Sequence, residues 1–327
     1  TRDKKDIRRQ NIPIIYVKGT HYEVGHDVGR TFASLINEVV STSNFLHKSC
    51  LPIYNTPEGR KVYNETLEVV QKSFPQYLRE LQGVADGAQV DFHKLFLFHL
   101  DNILMNVVTQ KNSDVEPTGC TDIYVSSDNE EILGHTEDAA RDSLNTFYIV
   151  SAHIISDEPE GRYGVKEEKF TSLCYAGQLP GYCMSYNHHG LVSTINTLVA
   201  RKLNAKKTPV DNESLLDIMT VGLGGSSIHC NNYLRLKVPE SVDDYMNATK
   251  ERFQTMKRFP EPRSLKGVIE MLGDQTNEHW IFRDRPGPGN KTICVGIFDL
   301  KNKTWSLYKD NPKFNEPTVV LAMNIKE

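Results

Sequence analysis

The residues best suited to chemistry lie where a polar segment gives way to a β-branched run, at Pro117-Thr118-Gly119-Cys120-Thr121-Asp122 before Ile123-Tyr124-Val125. A cysteine attacks carbonyl carbon only as its thiolate, so a catalytic Cys120 needs a base beside it. Cutting the chain between Gly119 and Cys120 would supply one. The freed α-amino group titrates at about 7.7–8.0, close to the working range of a general base. Glycine at 119 suits the same event, because the thiolate must first attack the Gly119 carbonyl and a residue without Cβ tolerates the distorted backbone. A lone Gly-Cys pair is equally compatible with a small buried hydrophobe.

Further along, Gly134-His135-Thr136-Glu137-Asp138 ends the second strand of a hairpin that begins at Cys120. Antiparallel pairing brings its carboxylates toward the start of the first strand, and Asp138 is the candidate to orient a new N-terminal amine. A solvated turn with scattered acids accounts for the same residues. Asn196, in Val192-Ser193-Thr194-Ile195-Asn196-Thr197, is a polar amide in a run read as a buried strand. It could donate to an oxyanion or satisfy a neighbouring backbone group. Arg283, in Trp280-Ile281-Phe282-Arg283-Asp284, either enters a sheet interior, where its charge needs a partner, or pairs with Asp284 at an edge. His229-Cys230-Asn231 and His188-His189 lack zinc-ligand spacing, so no metal is expected. Gly222-Leu223-Gly224-Gly225-Ser226-Ser227 lacks the lysine of a phosphate loop, and no cofactor is expected either.

These residues need a scaffold, and the periodicity supplies one. A strand over Ile14 to Val17 leads to Thr20-His21-Tyr22-Glu23, a capping box that opens an amphipathic helix running to about Phe45. Thr56-Pro57-Glu58 starts a second helix, Gln76 to Ala85 forms a third, and Asp91 caps a fourth that is apolar on nearly all sides. Thr109 to Thr118 reads as a polar loop. From Cys120 the period becomes two. A hairpin turns at Ser127-Asp128-Asn129-Glu130, and strands follow over Thr146 to Ile155, Leu173 to Ala176, Tyr182 to Tyr186 and Leu191 to Thr197. Helices return over Ser214 to Leu223, Ser241 to Phe259 and Ser264 to Leu272. Strands over His279 to Arg283, Thr292 to Asp299 and Thr304 to Tyr308 close the chain. Helices covering antiparallel strands predict an α+β layered fold with one structural domain.

Composition narrows the partners. The 327 residues are 39% hydrophobic with a formal net charge of -4, which argues against nucleic acid or an anionic membrane surface. No apolar run reaches the roughly 18 residues of a membrane span, and no signal pattern opens the chain. Six well-spaced cysteines without a C-x-x-C pair point to a reducing, cytoplasmic setting. Asn-x-Ser/Thr triplets at Asn64, Asn212, Asn247, Asn290 and Asn302 weigh lightly against it.

Taken together, Pro117-Thr118-Gly119-Cys120, Leu133-Gly134-His135-Thr136-Glu137-Asp138-Ala139, Ser172-Leu173-Cys174-Tyr175-Ala176-Gly177, Asn187-His188-His189-Gly190-Leu191 and Ile195-Asn196-Thr197 resemble the N-terminal-nucleophile cysteine hydrolases related to the fungal penicillin-side-chain acyltransferase. The resemblance extends over nearly the whole chain and implies a four-layer αββα sandwich. It also implies self-cleavage into an α-subunit, 1–119, and a β-subunit, 120–327. Cys120 takes the nucleophile position, Asp138 that of the amine-orienting acid, Asn196 that of an oxyanion-side amide and Arg283 that of the late active-site arginine. Within the family the likeness runs to the branch that hydrolyses β-alanyl amines, N-β-alanyldopamine to dopamine and carcinine to histamine. A β-alanyl group carries an ammonium, so a carboxylate should meet it, with Glu137 and Asp142 the candidates. Expected partners are therefore the small-molecule substrate, the chain's own two fragments and a second copy in a homodimer. Resolution of the same thioester by an amine would make an acyltransferase. One departure stands out: at Lys206-Lys207-Thr208-Pro209-Val210-Asp211 relatives carry several dozen more residues, which leaves open an inactive short form acting as a dimerisation partner. If residues are missing there, the Cα atoms of Pro209 and Val210 should lie well beyond the ~3.8 Å of a trans peptide.

Overall fold

The computed structural model describes residues 7–104, 119–156, 158–198, 217–238, 240, 244–287 and 289–326. The Pro209–Val210 junction and the expected loop over Thr109 to Thr118 lie outside the described residues. The fold is mixed α+β, with two sheets and helices. Contacts divide it into two compact units: Thr1–Asn11, Glu116–Leu144 and Thr194–Glu327 in one, Ile12–Val115 and Asn145–Ser193 in the other. This division differs from a cut at 119/120, which is a covalent boundary.

The second of these units holds a five-stranded sheet, ordered β1 (Ile14–Gly19), β4 (Phe147–Ile155), β5 (Glu167–Tyr175), β6 (Ser185–Asn187) and β7 (Val192–Ser193). Its helices are α1 (His21–Thr31), α2 (Ala33–Thr42), α3 (Leu51–Tyr54), α4 (Pro57–Ser73), α5 (Pro75–Ala88), α6 (Phe92–Phe98) and α7 (Asp101–Leu104), with a π-helical stretch over Phe45–Cys50. The expected capping box is present: Thr20 Oγ1 accepts from the Glu23 amide, and Glu23 Oε2 accepts from the Thr20 amide at 2.8 Å. The single helix expected from there to Phe45 is instead divided at Phe32. That residue leaves helical geometry, and its ring stacks on Tyr148 at 3.9 Å between centroids. Val24, Val28, Ile36, Leu81, Val84, Tyr148 and Val150 form the core, each fully buried aliphatic side chain contributing roughly 1.5–3 kcal/mol. A cavity of about 490 Å³ is lined in part by Tyr77, Glu80, His99, Glu168 and Tyr186.

Where α1 crosses α5, a Cβ on Gly25 would collide with the Glu80 carbonyl, so glycine permits the approach that sets His21 against Glu80. His21 Nδ1 lies 2.7 Å from Glu80 and its Nε2 3.3 Å from Glu168. Burial alone would lower the imidazole's pKa; the two carboxylates outweigh it and raise the value to about 9. A raised pKa stabilises the fold fully below the ordinary 6.5, and the contribution disappears as pH climbs through about 9. Denaturant titrations at about pH 6 and about pH 10 should therefore differ by on the order of 1–3 kcal/mol from this group, with less stability at the alkaline end. His21→Gln should flatten that difference; an unchanged slope in the variant would count against the assignment.

The other unit holds a six-stranded sheet, ordered β11 (Val319–Ala322), β10 (Thr304–Tyr308), β9 (Lys291–Asp299), β3 (Glu131–Ala139), β2 (Cys120–Ser126) and β8 (Ser226–His229). Helices α8 (Asp244–Arg258) and α9 (Leu265–Leu272) belong to the same unit. Ile123, Val125, Ile132, Met256, Val268, Leu272, Val295 and Ile297 make its core. The expected β2–β3 hairpin forms, closed by Ser127 N–H to Glu130 O at 2.8 Å and Glu130 N–H to Ser127 Oγ at 3.0 Å.

Three expected elements are corrected. His279 to Arg283 forms no strand: the amides of Ile281 and Phe282 both turn to the one carbonyl of Asp274, so no ladder develops. The strand expected to carry Asn196 ends after Val192–Ser193, leaving Asn196 half-buried on an irregular segment. Of the helix expected over Ser214 to Leu223, residues 217–223 are not helical, and the first three lie outside the described residues.

Candidate active site

Hairpin register builds the site. The short turn at 127–130 sets Cys120 opposite Glu137 and Asp122 opposite His135, and strand alternation puts all four on one face. Cys120, His135 and Glu137 are buried, and their Sγ, ring nitrogen and carboxylate oxygen lie within 4.8 Å of one another. His135 Nδ1 meets Asp122 Oδ1 at 2.6 Å, and its Nε2 meets Glu137 Oε2 at 3.0 Å. Burial opposes a charged imidazole here, but Asp122, together with hydrogen bonds to Cys120 and Glu137, holds the pKa well above the ordinary value. The Cys120 thiol is pushed up to about 11, chiefly by burial and then by the Glu137 charge. A thiol so raised is held in its neutral form near neutral pH, and only a base beside it would make it a thiolate.

The backbone of Cys120 is held just as closely. Its N–H donates to Asn231 Oδ1 at 2.9 Å, and its carbonyl accepts from Arg252 Nη1 at 3.1 Å. Arg252 is fully buried, and also donates to Thr121 Oγ1 at 2.9 Å and to Asn231 Oδ1 at 2.7 Å. Asn231 is fixed in turn by donating to the Thr197 carbonyl. Gly119 sits among these groups. A Cβ there would meet Arg252 Nη2 at 2.8 Å, Asn231 Oδ1 at 3.1 Å and Arg283 Nη2 at 3.3 Å, so only glycine fits without displacing a guanidinium.

Asp138 is completely buried one residue past Glu137, where the β3–β9 register shifts. Its Oδ1 accepts from Thr292 Oγ1 at 2.6 Å, while its Oδ2 lies 3.5 Å from Arg283 Nε and 4.0 Å from Arg252 Nη1. Burial raises its pKa against the pull of those two guanidiniums. Arg283 reaches it from an irregular segment tied to β9, its N–H on Thr292 Oγ1 and its carbonyl accepting from the Thr292 amide. Cys120, Glu137, Asp138 and Arg283 are thus brought together. Asn196 is one bond removed: its amide donates to Asp122 Oδ2 at 2.7 Å and to His229 Nδ1 at 2.9 Å, a ring whose pKa burial lowers. Asp142 is exposed on the 3₁₀ turn Arg141–Ser143, beyond the end of β3.

Sequence reasoning missed Asn231, Arg252 and His135. A signal existed for two of them: Arg252 interrupts the buried stripe Met246, Thr249, Met256 of α8, and counting back from the turn pairs His135 with Asp122. Asn231 stood in a tripeptide read only for its His and Cys.

The model of one protein family, Acyl-coenzyme A:6-aminopenicillanic acid acyl-transferase, matches residues 125–211 and 218–314. The chain belongs to this family. It is also 44% identical to the beta-alanyl-dopamine/carcinine hydrolase of Drosophila melanogaster, over 98% of each chain. The matched stretch runs to 379 residues against the 327 of this chain, so the relative carries several dozen residues without counterparts here. The gap between the two family-matched stretches falls close to Pro209–Val210.

Proposed function

We propose that this chain is a cysteine amidohydrolase that cleaves β-alanyl amines, releasing β-alanine and the amine from N-β-alanyldopamine or carcinine. The observation that carries this reading is near-full-length identity to a hydrolase of that name, in a chain whose Cys120 is buried beside an ordered set of polar groups. No helix among the described residues is long and apolar enough to cross a membrane. All six cysteines are buried and none is joined in a disulfide, which supports our placing the enzyme in the cytoplasm.

The chemistry begins with the chain itself. Sγ of Cys120 attacks the Gly119 carbonyl as its thiol proton passes to the peptide nitrogen, which leaves as the α-amine, and water hydrolyses the resulting thioester, giving fragments 1–119 and 120–327. Arg252 and Arg283, which flank Gly119, supply positive charge to the developing oxyanion. The freed amine stays against Asn231 Oδ1 and serves as base, with Asp138 holding the two guanidiniums in register. In turnover the thiolate attacks the substrate amide, the amine passes its proton to the leaving group, and water releases β-alanine. Glu137 is the carboxylate for the substrate's ammonium; Asp142 is the weaker candidate on its exposed turn. In this reading the fold is the family's four-layer αββα sandwich.

Incubating the purified protein with each substrate and following amine release tests the assignment, with release of dopamine or histamine expected. Fully cleaved protein that releases neither would end it. The family's name favours a second reading, in which an amine resolves the thioester. Including an excess of a second amine separates the two, since a transferase forms a new amide and a hydrolase forms free β-alanine.

A further inference from the structure

Cys120, His135 and Glu137 together have the anatomy of a metal site, although no spacing in the sequence announces one. They offer one sulfur, one imidazole nitrogen and one carboxylate oxygen, all buried and within 4.8 Å of each other. In a tetrahedral zinc site with bonds of about 2.0–2.3 Å, donor atoms stand about 3.3–3.6 Å apart, so rotamer adjustments of an ångström or less close the set. The outer shell is also in place. A ligating histidine usually donates its other ring N–H to a carboxylate, and His135 Nδ1 lies 2.6 Å from Asp122, whose second oxygen is held by Asn196 at 2.7 Å. That contact leaves Nε2 as the donor facing Sγ and Glu137. The ligands also sit on a paired strand ladder rather than on loops, which fixes their relative positions.

We propose that Cys120, His135 and Glu137 bind one thiophilic divalent cation of the zinc type, and that the bound ion silences the nucleophile. Sγ binds as thiolate and Nε2 as a lone pair, their protons passing to solvent, so that thiolate and carboxylate balance the two positive charges. A nucleophile whose electron pair is committed to the ion cannot attack an amide. In a chain cut at Gly119, the α-amine of Cys120 adds a second nitrogen donor in a five-membered chelate with its own sulfur. The inhibitory consequence rests on Cys120 being the nucleophile; the binding itself rests only on the geometry.

The test titrates CoCl₂ and then ZnCl₂ into the purified full-length protein. One equivalent of cobalt should give a thiolate-to-cobalt charge-transfer band, which zinc removes by displacement. Zinc should stop amine release, and a chelator should restore it. Cys120→Ser should abolish the band. His135→Gln should weaken zinc binding by 10-fold or more, and Asp122→Asn by about 10–100-fold, as loss of an outer-shell partner does. Melting curves on each variant verify that the fold persists, and the cobalt band in the unaltered protein needs no variant at all. Absence of that band, or its persistence in Cys120→Ser, overturns the proposal, as does unchanged zinc affinity in His135→Gln. If the substrate assignment alone is wrong, amine release is missing while the metal titration proceeds as described.

Discussion

Cys120→Ala is expected to leave one uncut chain and to lower amide hydrolysis by roughly four orders of magnitude or more, the scale on which loss of a nucleophile acts. The substitution removes the one atom that both reactions share. It leaves the backbone contacts of residue 120 untouched, because Asn231 and Arg252 bind its N–H and carbonyl rather than its side chain. The fold should therefore persist. Intact mass of the purified variant reads the first effect and amine release the second. Two fragments from Cys120→Ala would mean that another agent cuts the chain, and the coupling of processing to catalysis would be lost.

Arg252→Met is expected to cost about 3–5 kcal/mol of stability and to prevent processing in whatever protein remains folded. Methionine approximates the length of the side chain but donates no hydrogen bonds. The Cys120 carbonyl and Thr121 hydroxyl would each lose a buried partner, at about 1–3 kcal/mol for each group left unsatisfied. Asp138 would then face Arg283 alone among the two guanidiniums now within 4.0 Å of it. Denaturant unfolding measures the loss, and the fragment pattern of the soluble fraction measures processing. A variant as stable as the parent would show that Arg252 organises nothing, and would leave Asn231 as the principal holder of the Cys120 backbone.

What could be read in advance divides along physical lines. Local signals were legible: Thr20 with Glu23, Thr56 with Pro57, and the polar turn at Ser127 to Glu130 each satisfy their backbone groups within four residues, so sequence alone places them. Cys120 and Gly119 could be singled out as candidates because thiol chemistry dictates the residue types, and the structure sets both among Asn231 and Arg252. Features set by distant contacts were not. Strand β8 is Ser-Ser-Ile-His, with little β-branched or aromatic character to mark it, and it is defined by its pairing with β2. Arg283 reaches Asp138 without the strand that was expected to carry it. The fate of Asn196 was hidden likewise, because its amide hydrogens are taken by Asp122 and His229, which are far away in sequence.

The placement of Gly119 at the head of a paired strand has a consequence for assembly. Strand β1, before the proposed cut, is hydrogen-bonded along its length to β4, which comes after it. Buried Arg8, also before it, donates to the carbonyls of Thr292 and Lys309 at 2.6 and 2.7 Å. A break at Gly119 would thus turn one polypeptide into two without freeing either. While folded, the halves would stay knitted together; once unfolded, they would be separate molecules. Refolding of the precursor is independent of how dilute it is, whereas recovery of the cut form would slow in proportion to dilution. Each molecule would then have one unhindered opportunity to fold, the one that precedes its own first reaction.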